Sequence, residues 1–241
     1  MAAIIQIEEI IRPAEQGLTK PFLCRAEDGY RYYVKGRSAT RAGQCHEWLC
    51  AHLGRALGLP IPEFSLVEVP AELLAEAPTY FQPLGAGVAF ASRECAAAQW
   101  LEPSLAVNIP QALRRDVAVF DWWIRNEDRN AGNPNLLLNT ERELVVIDHN
   151  KAFDADFNAQ DFLSQHLFAA ELVAVMEDFV EQGRYARRLS EALAVWEEGC
   201  HNIPASWHWV NDEEDIPAGF DLAAMRQQLA RCESNAFWSS V

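Results

Sequence analysis

Through the first third of the chain apolar and polar residues alternate over short runs, and through the remainder they recur at helical spacing. "PFLCRA" and "YRYYVKG" flank Glu27-Asp28-Gly29, and an Asp-Gly step between two β-prone runs predicts a hairpin. On its second strand Lys35 shares a face with Tyr33 and Arg31, because side chains alternate across a strand. The next segment, "AGQCHEWLCAHLGRALGLP", spaces Leu49, Leu53, Ala56 and Leu57 along one helix face, and Gly58 followed by Pro60 supplies a stop. "EFSLVEV" and "TYFQPLG" predict two further strands.

The pattern changes near Gly85 to Ser92, where "GAGVAF" reads as a turn at the junction between two parts of the chain. Asn108 is a candidate cap and Pro110 suits a first helical turn, so "PQALRRDVAVFDWWIRN" predicts a helix. "LLLNTERELVVID" places two apolar runs around a polar turn, a second hairpin. Three amphipathic segments follow, at about 160 to 181, 184 to 199 and 217 to 232. The expected class is α+β: a small β-rich part, residues 1–84, and a mostly helical part, residues 85–241.

The chain has 241 residues, half of them apolar, enough for a substantial core. Its formal net charge of −15 argues against a nucleic-acid surface and against anionic membranes, since both demand a basic face. No apolar run approaches the roughly 18 residues of a membrane span, and the start lacks the basic region and cleavage site of a signal peptide, so a cytoplasmic protein is expected. Cys24, Cys45, Cys50, Cys95, Cys200 and Cys232 are scattered without a C-x-x-C pair, as reduced, buried thiols would be. In "CHEWLCAH" the two histidines, His46 and His52, point about 120° apart on a helix, unlike an H-E-x-x-H zinc site. Trp207 and Trp209 around His208 suit packing first and a ligand platform second.

The candidate chemistry lies in "DWWIRNEDRNAGNPNLLLN", residues 121–139. Asn126, Asp128 and Asn130 alternate as in a calcium loop, but the positions that need Gly and Glu hold Ala131 and Leu137. An asparagine-rich turn capping its own backbone is a second reading. Phosphoryl transfer is the third: an Asp five residues before a metal-binding Asn, then a hairpin, then a second Asp. Asp128, Asn133 and Asp148 have that spacing, and hard oxygen ligands of this kind suit magnesium. Asn135, directly before the leucine strand, is kept beside Asn133 as a metal ligand. In the first part of the chain Glu47 is either the helix carboxylate that pairs with Lys35 or a solvated glutamate. The loop "EQGLTKP" offers Gly17 for close backbone approach to phosphates and Lys20 for charge.

"NEDRNAGNPN" with "VVIDHNKAF", and the L-G-L-P-x-P turn in "HEWLCAHLGRALGLPIPEFSLVEV", resemble the HipA-like kinases, in particular the smaller single-domain members, and more distantly the phosphoinositide kinases. The resemblance covers about residues 15 to 155. It implies a two-lobed protein-kinase-like fold with ATP between the lobes. It further implies that Asp128 orients or deprotonates the acceptor, that Asn133 and Asp148 bind magnesium, and that Lys35 holds the α and β phosphates. The implied acceptor is a hydroxyl, Ser or Thr of a protein first and a small molecule second, with control by a possible separate regulatory protein. Two features depart from the family pattern: Asn130 stands where related loops often carry histidine, and His149-Asn150 rather than a D-F-G continuation follow Asp148. The short segment "KAFDADFNAQDFLSQH" keeps a nucleotide-binding pseudokinase or regulatory module as the alternative.

Overall fold

The computed structural model describes residues 3–14 and 20–239. Its contacts gather into two compact units, Met1–Trp48 with Pro62–Ala96 and His201–Phe220, and Leu49–Ile61 with Ala97–Cys200 and Asp221–Val241.

In the first unit five strands close into a barrel. They are β1 (Ile4–Pro13), β2 (Phe22–Ala26), β3 (Arg31–Lys35), β4 (Phe64–Val69) and β5 (Gly87–Arg93). The Asp-Gly hairpin forms as expected, with β2 and β3 antiparallel and Phe22 opposite Val34. β1 closes the barrel by pairing antiparallel with β2 and parallel with β4. Alternation sets the interior: Phe22, Cys24 and Ala26, Tyr32 and Val34, Val67 and Val69, and Ala89 and Ala91 belong to one buried cluster. Burial pushes the Cys24 thiol up to about 12, so it behaves as a small apolar filler. Helix α1 (Arg41–Leu57) follows β3. Its Trp48 packs edge-on against Phe64, which in turn stacks on Phe90. α2 (Ala71–Glu76) follows β4.

Two expectations in this unit are corrected. "TYFQPLG" is a 3₁₀ helix, Thr79–Leu84, rather than a strand. Pro78 precedes it and Pro83 lies inside it, and a proline cannot donate to a sheet ladder. "GAGVAF" is no turn: it opens β5, which bonds to β3 and β4 on its two sides. Ala89 and Ala91 fit a narrow interior and so weaken the hydrophobic signal of a central strand. The barrel therefore extends past residue 84. Trp207 is fully buried and its indole N–H donates to Val88 O at 2.9 Å, a packing role.

In the second unit α3 (Gln111–Ile124) is buried at every residue from Val117 to Ile124, an apolar helix inside its unit. Its N-cap is Pro110, and Asn108 instead ends a 3₁₀ turn, Pro103–Asn108. The short strand β6 (Gln99–Trp100) pairs with β7 (Leu136–Leu138), which forms the expected hairpin with β8 (Leu144–Val146). Asn139 shapes the turn by accepting from the backbone N–H groups of Glu141 and Glu143. The segment expected at 160 to 181 is two helices, α4 (Ala159–Gln165) and α5 (Ala169–Met176), broken around His166. α6 (Phe179–Ala192), α7 (Trp196–His201) and α8 (Leu222–Ala230) complete the unit. Asn158, Asp178 and Asp221 cap α4, α6 and α8 with side-chain oxygens. No helix among the described residues is long and apolar enough to cross a membrane.

Candidate active site

Among the described residues of the first unit, one ion pair is buried on both sides. Lys35, the last residue of β3, faces away from Tyr32 and Val34 and meets Glu47 of α1; both side chains are nearly inaccessible, at 9% and 3%. Glu47 is thus the paired carboxylate, not a solvated one. The apolar stripe of α1 concealed this, because the buried positions beside that stripe are polar. Gln44, one turn earlier and fully buried, is a second such position. Its Nε2 donates to Gly36 O at 3.1 Å and its Oε1 accepts from Phe90 N at 3.3 Å, tying α1 to the end of β3 and to β5. Nothing in the sequence singled out Gln44. A side chain at Gly36 would collide with the backbone of Leu84, its Cβ falling 1.8 Å from the carbonyl oxygen, so the chain after Lys35 requires glycine. Lys20 is exposed with a φ of 39°, and Gly17 lies outside the described residues.

The second unit holds the polar loop. α3 ends at Arg125 in the left-handed conformation, with Asn126 N–H donating to Asp121 O at 2.8 Å. Asp121, fully buried in the last turn of α3, accepts from Asn126 Nδ2 (2.9 Å), Arg129 Nε (2.6 Å) and His166 Nε2 (3.0 Å). Burial pushes its pKa up, but the Arg129 charge and the His166 hydrogen bond prevail and hold it well below the usual carboxylate range. Phe168 N–H donates to His166 Nδ1, and burial lowers the imidazole pKa, so His166 is neutral and its Nε2–H donates to Asp121. Arg129, also fully buried, carries the support onward: its Nη1 donates to the carbonyls of Asn135 (2.6 Å), Pro134 (3.1 Å) and Ile147 (3.4 Å). One guanidinium thus clamps the loop and the far end of the hairpin to α3. The Asp-Arg step in the motif was its only trace in the sequence.

Above this support lies the acidic cluster. Asp128 Oδ2 accepts from Asn133 Nδ2 at 2.9 Å and from Asn135 Nδ2 at 3.3 Å. Both amides, left as alternatives by spacing, therefore reach the same carboxylate. Asn130 behaves differently. Its Oδ1 caps the loop backbone at Gly132 N and Asn133 N, so the asparagine-rich-turn reading describes Asn130 and, at the end of the stretch, Asn139. Asn135 and Asp148 stand at the open end of the hairpin, linked by Ile147 N–H to Asn135 O at 3.1 Å. Both adopt left-handed backbone, φ 48° and 63°, a conformation Asn and Asp tolerate best among residues with a Cβ. Burial raises the Asp128 pKa, the Asn133 amide opposes the shift, and the like charge of Asp148 adds to it. His149, next to Asp148, is buried with its ring edge-on to Phe120, filling a packing position.

Among the described residues no three His, Cys, Asp or Glu side chains gather as metal ligands. The oxygen donors here are two carboxylates and two amides. Such a set suits a magnesium ion that keeps waters and takes phosphate oxygens, and the mutual repulsion felt by Asp128 is what a cation would relieve.

The model of the HipA-like kinases matches residues 7–241. The chain belongs to the HipA-like kinase family. For this HipA-like kinase the match runs well beyond the loop and hairpin, into the helices after residue 155. No curated protein matches the chain significantly. Among solved structures, the Helicobacter pylori proinflammatory kinase CtkA superposes with a TM-score of 0.52 at 12% identity, over 97% of this chain and 95% of that one, which shows a kinase fold. The Golgi casein kinase aligns with a TM-score of 0.45 at 14% identity over 98% of this chain and 73% of its own. Its form with Mn/ADP bound gives 0.45 at 13%, over 98% and 72%.

Proposed function

We propose that this HipA-like kinase transfers the γ-phosphoryl group of ATP, with magnesium, to the hydroxyl of Ser or Thr in a protein. The observation that carries the reading is the convergence of the Asn133 and Asn135 amides on Asp128, with Asp148 close enough for its charge to act there. Asp128 is the group that meets the acceptor: its carboxylate takes the hydroxyl's hydrogen bond, aligns the oxygen on phosphorus and receives the proton as ADP leaves. Asp148 with Asn133 or Asn135 would hold the magnesium ion, which supplies charge neutralisation for the triphosphate when bound. Lys35, kept in place by Glu47, hydrogen-bonds the α and β phosphates. Lys20 adds positive charge near the phosphates, and Gly17 belongs to the same loop.

In a chain of net charge −15 these few cations act locally, against the overall field. Purified protein incubated with γ-labelled ATP and candidate acceptors, with products identified by mass, tests the reading. Label on a protein Ser or Thr that disappears with EDTA supports it. Label on a small molecule moves the acceptor class. ATP binding with no transfer to any acceptor supports a nucleotide-binding module instead.

A further inference from the structure

A cavity of about 220 Å³ in the second unit takes no part in the chemistry above. Its walls come from the end of α3, from Phe157 and the first residue of α4, and from Gln228 of α8 with the chain after it. The aromatic walls are Trp122, Phe157 and Phe237, with Trp122 edge-on to both phenylalanines at 5.3 and 6.4 Å between centroids. The indole N–H of Trp122 is committed to Phe237 O at 3.0 Å, and the Ser239 hydroxyl donates to Asn235 O at 3.1 Å. The walls therefore present carbon surface rather than open donors.

The open donors are two guanidinium groups, Arg125 and Arg231. Arg125 is half-buried and lies over the Phe157 ring at 5.8 Å. Burial lowers its pKa, and the charge of Arg231 lowers it further, so the two cations face one another's field. The other buried or half-buried arginines near α3 are paired: Arg114 and Arg115 with Glu171, Arg129 with Asp121, Arg188 with Asp116. Among the described residues no carboxylate pairs with Arg125 or Arg231. A partly desolvated cation beside a second cation, in a strongly acidic protein whose described residues offer neither a counter-ion, is an incomplete electrostatic arrangement.

We infer that this cavity binds a small aromatic anion, with its ring against Trp122, Phe157 and Phe237 and its carboxylate or phosphate between Arg125 and Arg231. Planar guanidinium forks suit both acid groups. The cavity volume sets the size at about that of a single substituted ring. The ligand would span α3, which leads into the loop carrying Asp128, and Phe157, so its binding stiffens both.

Calorimetric titration of benzoate, phenyl phosphate, acetate and inorganic phosphate into the full chain, and into R125Q and R231Q, tests the site. The expected result is binding of benzoate or phenyl phosphate, weakened about tenfold in each variant as loss of a charge-assisted contact demands, with acetate and inorganic phosphate at least about tenfold weaker. Preference for one of the two aromatic probes identifies the acid group. Because Arg231 is exposed, R231Q keeps the test sound even if R125Q fails to fold. The inference is overturned if neither aromatic probe binds at millimolar concentration, if R231Q binds them as the parent does, or if acetate binds as well as benzoate.

Discussion

Asp121 and Asp128 flank the same turn of chain and are driven in opposite directions. Asp121 is sealed from solvent but faces a buried arginine and the N–H groups of Asn126 and His166, so its charge is held. Asp128 is only partly buried, yet burial without a paired arginine disfavours its charge and the nearby Asp148 carboxylate adds to this, against the Asn133 and Asn135 amides and the charge of Lys151. The first arrangement stabilises a fold, whereas the second, in the function proposed, is completed by a cation and an acceptor. Sites built for chemistry are commonly destabilised in this sense, and the stability they lack is supplied by neighbours. Here the neighbour is identifiable: Arg129 connects the two, bonding Asp121 at one end and the carbonyls of Asn135 and Ile147 at the other.

The largest effect is expected from Asp121→Asn. It leaves Arg129 buried without its counter-charge and should lower unfolding free energy by about 3–5 kcal/mol, read from urea denaturation midpoints. Because the Asp121 pKa is depressed in the folded state, its contribution is complete above the unfolded value of about 4 and fades as pH falls through and below it. Acid unfolding of the parent protein should therefore be steeper than that of D121N. Equal stability of the two at neutral pH would break the contrast.

Asp128→Asn should do the reverse. Transfer of label falls by about 10²- to 10⁴-fold, as loss of an acid–base group predicts, while thermal stability at neutral pH rises. The sign follows from the raised pKa: folding is favoured by protonated Asp128 below the unfolded value, and that advantage is lost as pH rises through the folded one. The stability gap between D128N and the parent should accordingly close in acid.

Lys35→Met should destabilise through the stranded Glu47, by an amount within the same range of about 3–5 kcal/mol, and raise the KM for ATP. Adding Glu47→Gln should restore part of the stability and none of the ATP affinity. If the double variant also recovers affinity, Lys35 has no role with phosphates. The smallest effects separate the two asparagines. Asn135→Ala should cost about 1 kcal/mol more than Asn133→Ala, because alanine resists left-handed backbone. Whichever variant needs more magnesium for half-maximal transfer marks the metal ligand.

Much of this was legible in the sequence where signals were local. The hairpin at Asp28-Gly29, α1 with its Gly58 stop, α3 and the β7–β8 hairpin follow from turn residues and periodicity. The grouping of Asp128, Asn133 and Asn135 follows from spacing that a tight loop preserves. The losses have physical causes. β5 is lined by alanines, and a narrow barrel interior needs small residues that carry little hydrophobic signal. The strand expected at 79–85 carries the aromatic pair Tyr80 and Phe81, but Pro78 before it and Pro83 within it turn the segment into a 3₁₀ helix. Arg129, His166 and Gln44 escaped notice because buried polar residues are defined by their partners, which lie at distant positions or on other elements.

The most direct test is a titration of aspartate carboxyl ¹³C shifts in the folded protein, with and without magnesium and ADP. The account predicts that Asp128 titrates above the ordinary aspartate value and moves down when magnesium and nucleotide are present, while Asp121 stays ionised until the protein unfolds. An Asp128 with an ordinary pKa that ignores magnesium would contradict the assignment of this cluster as the phosphoryl-transfer site.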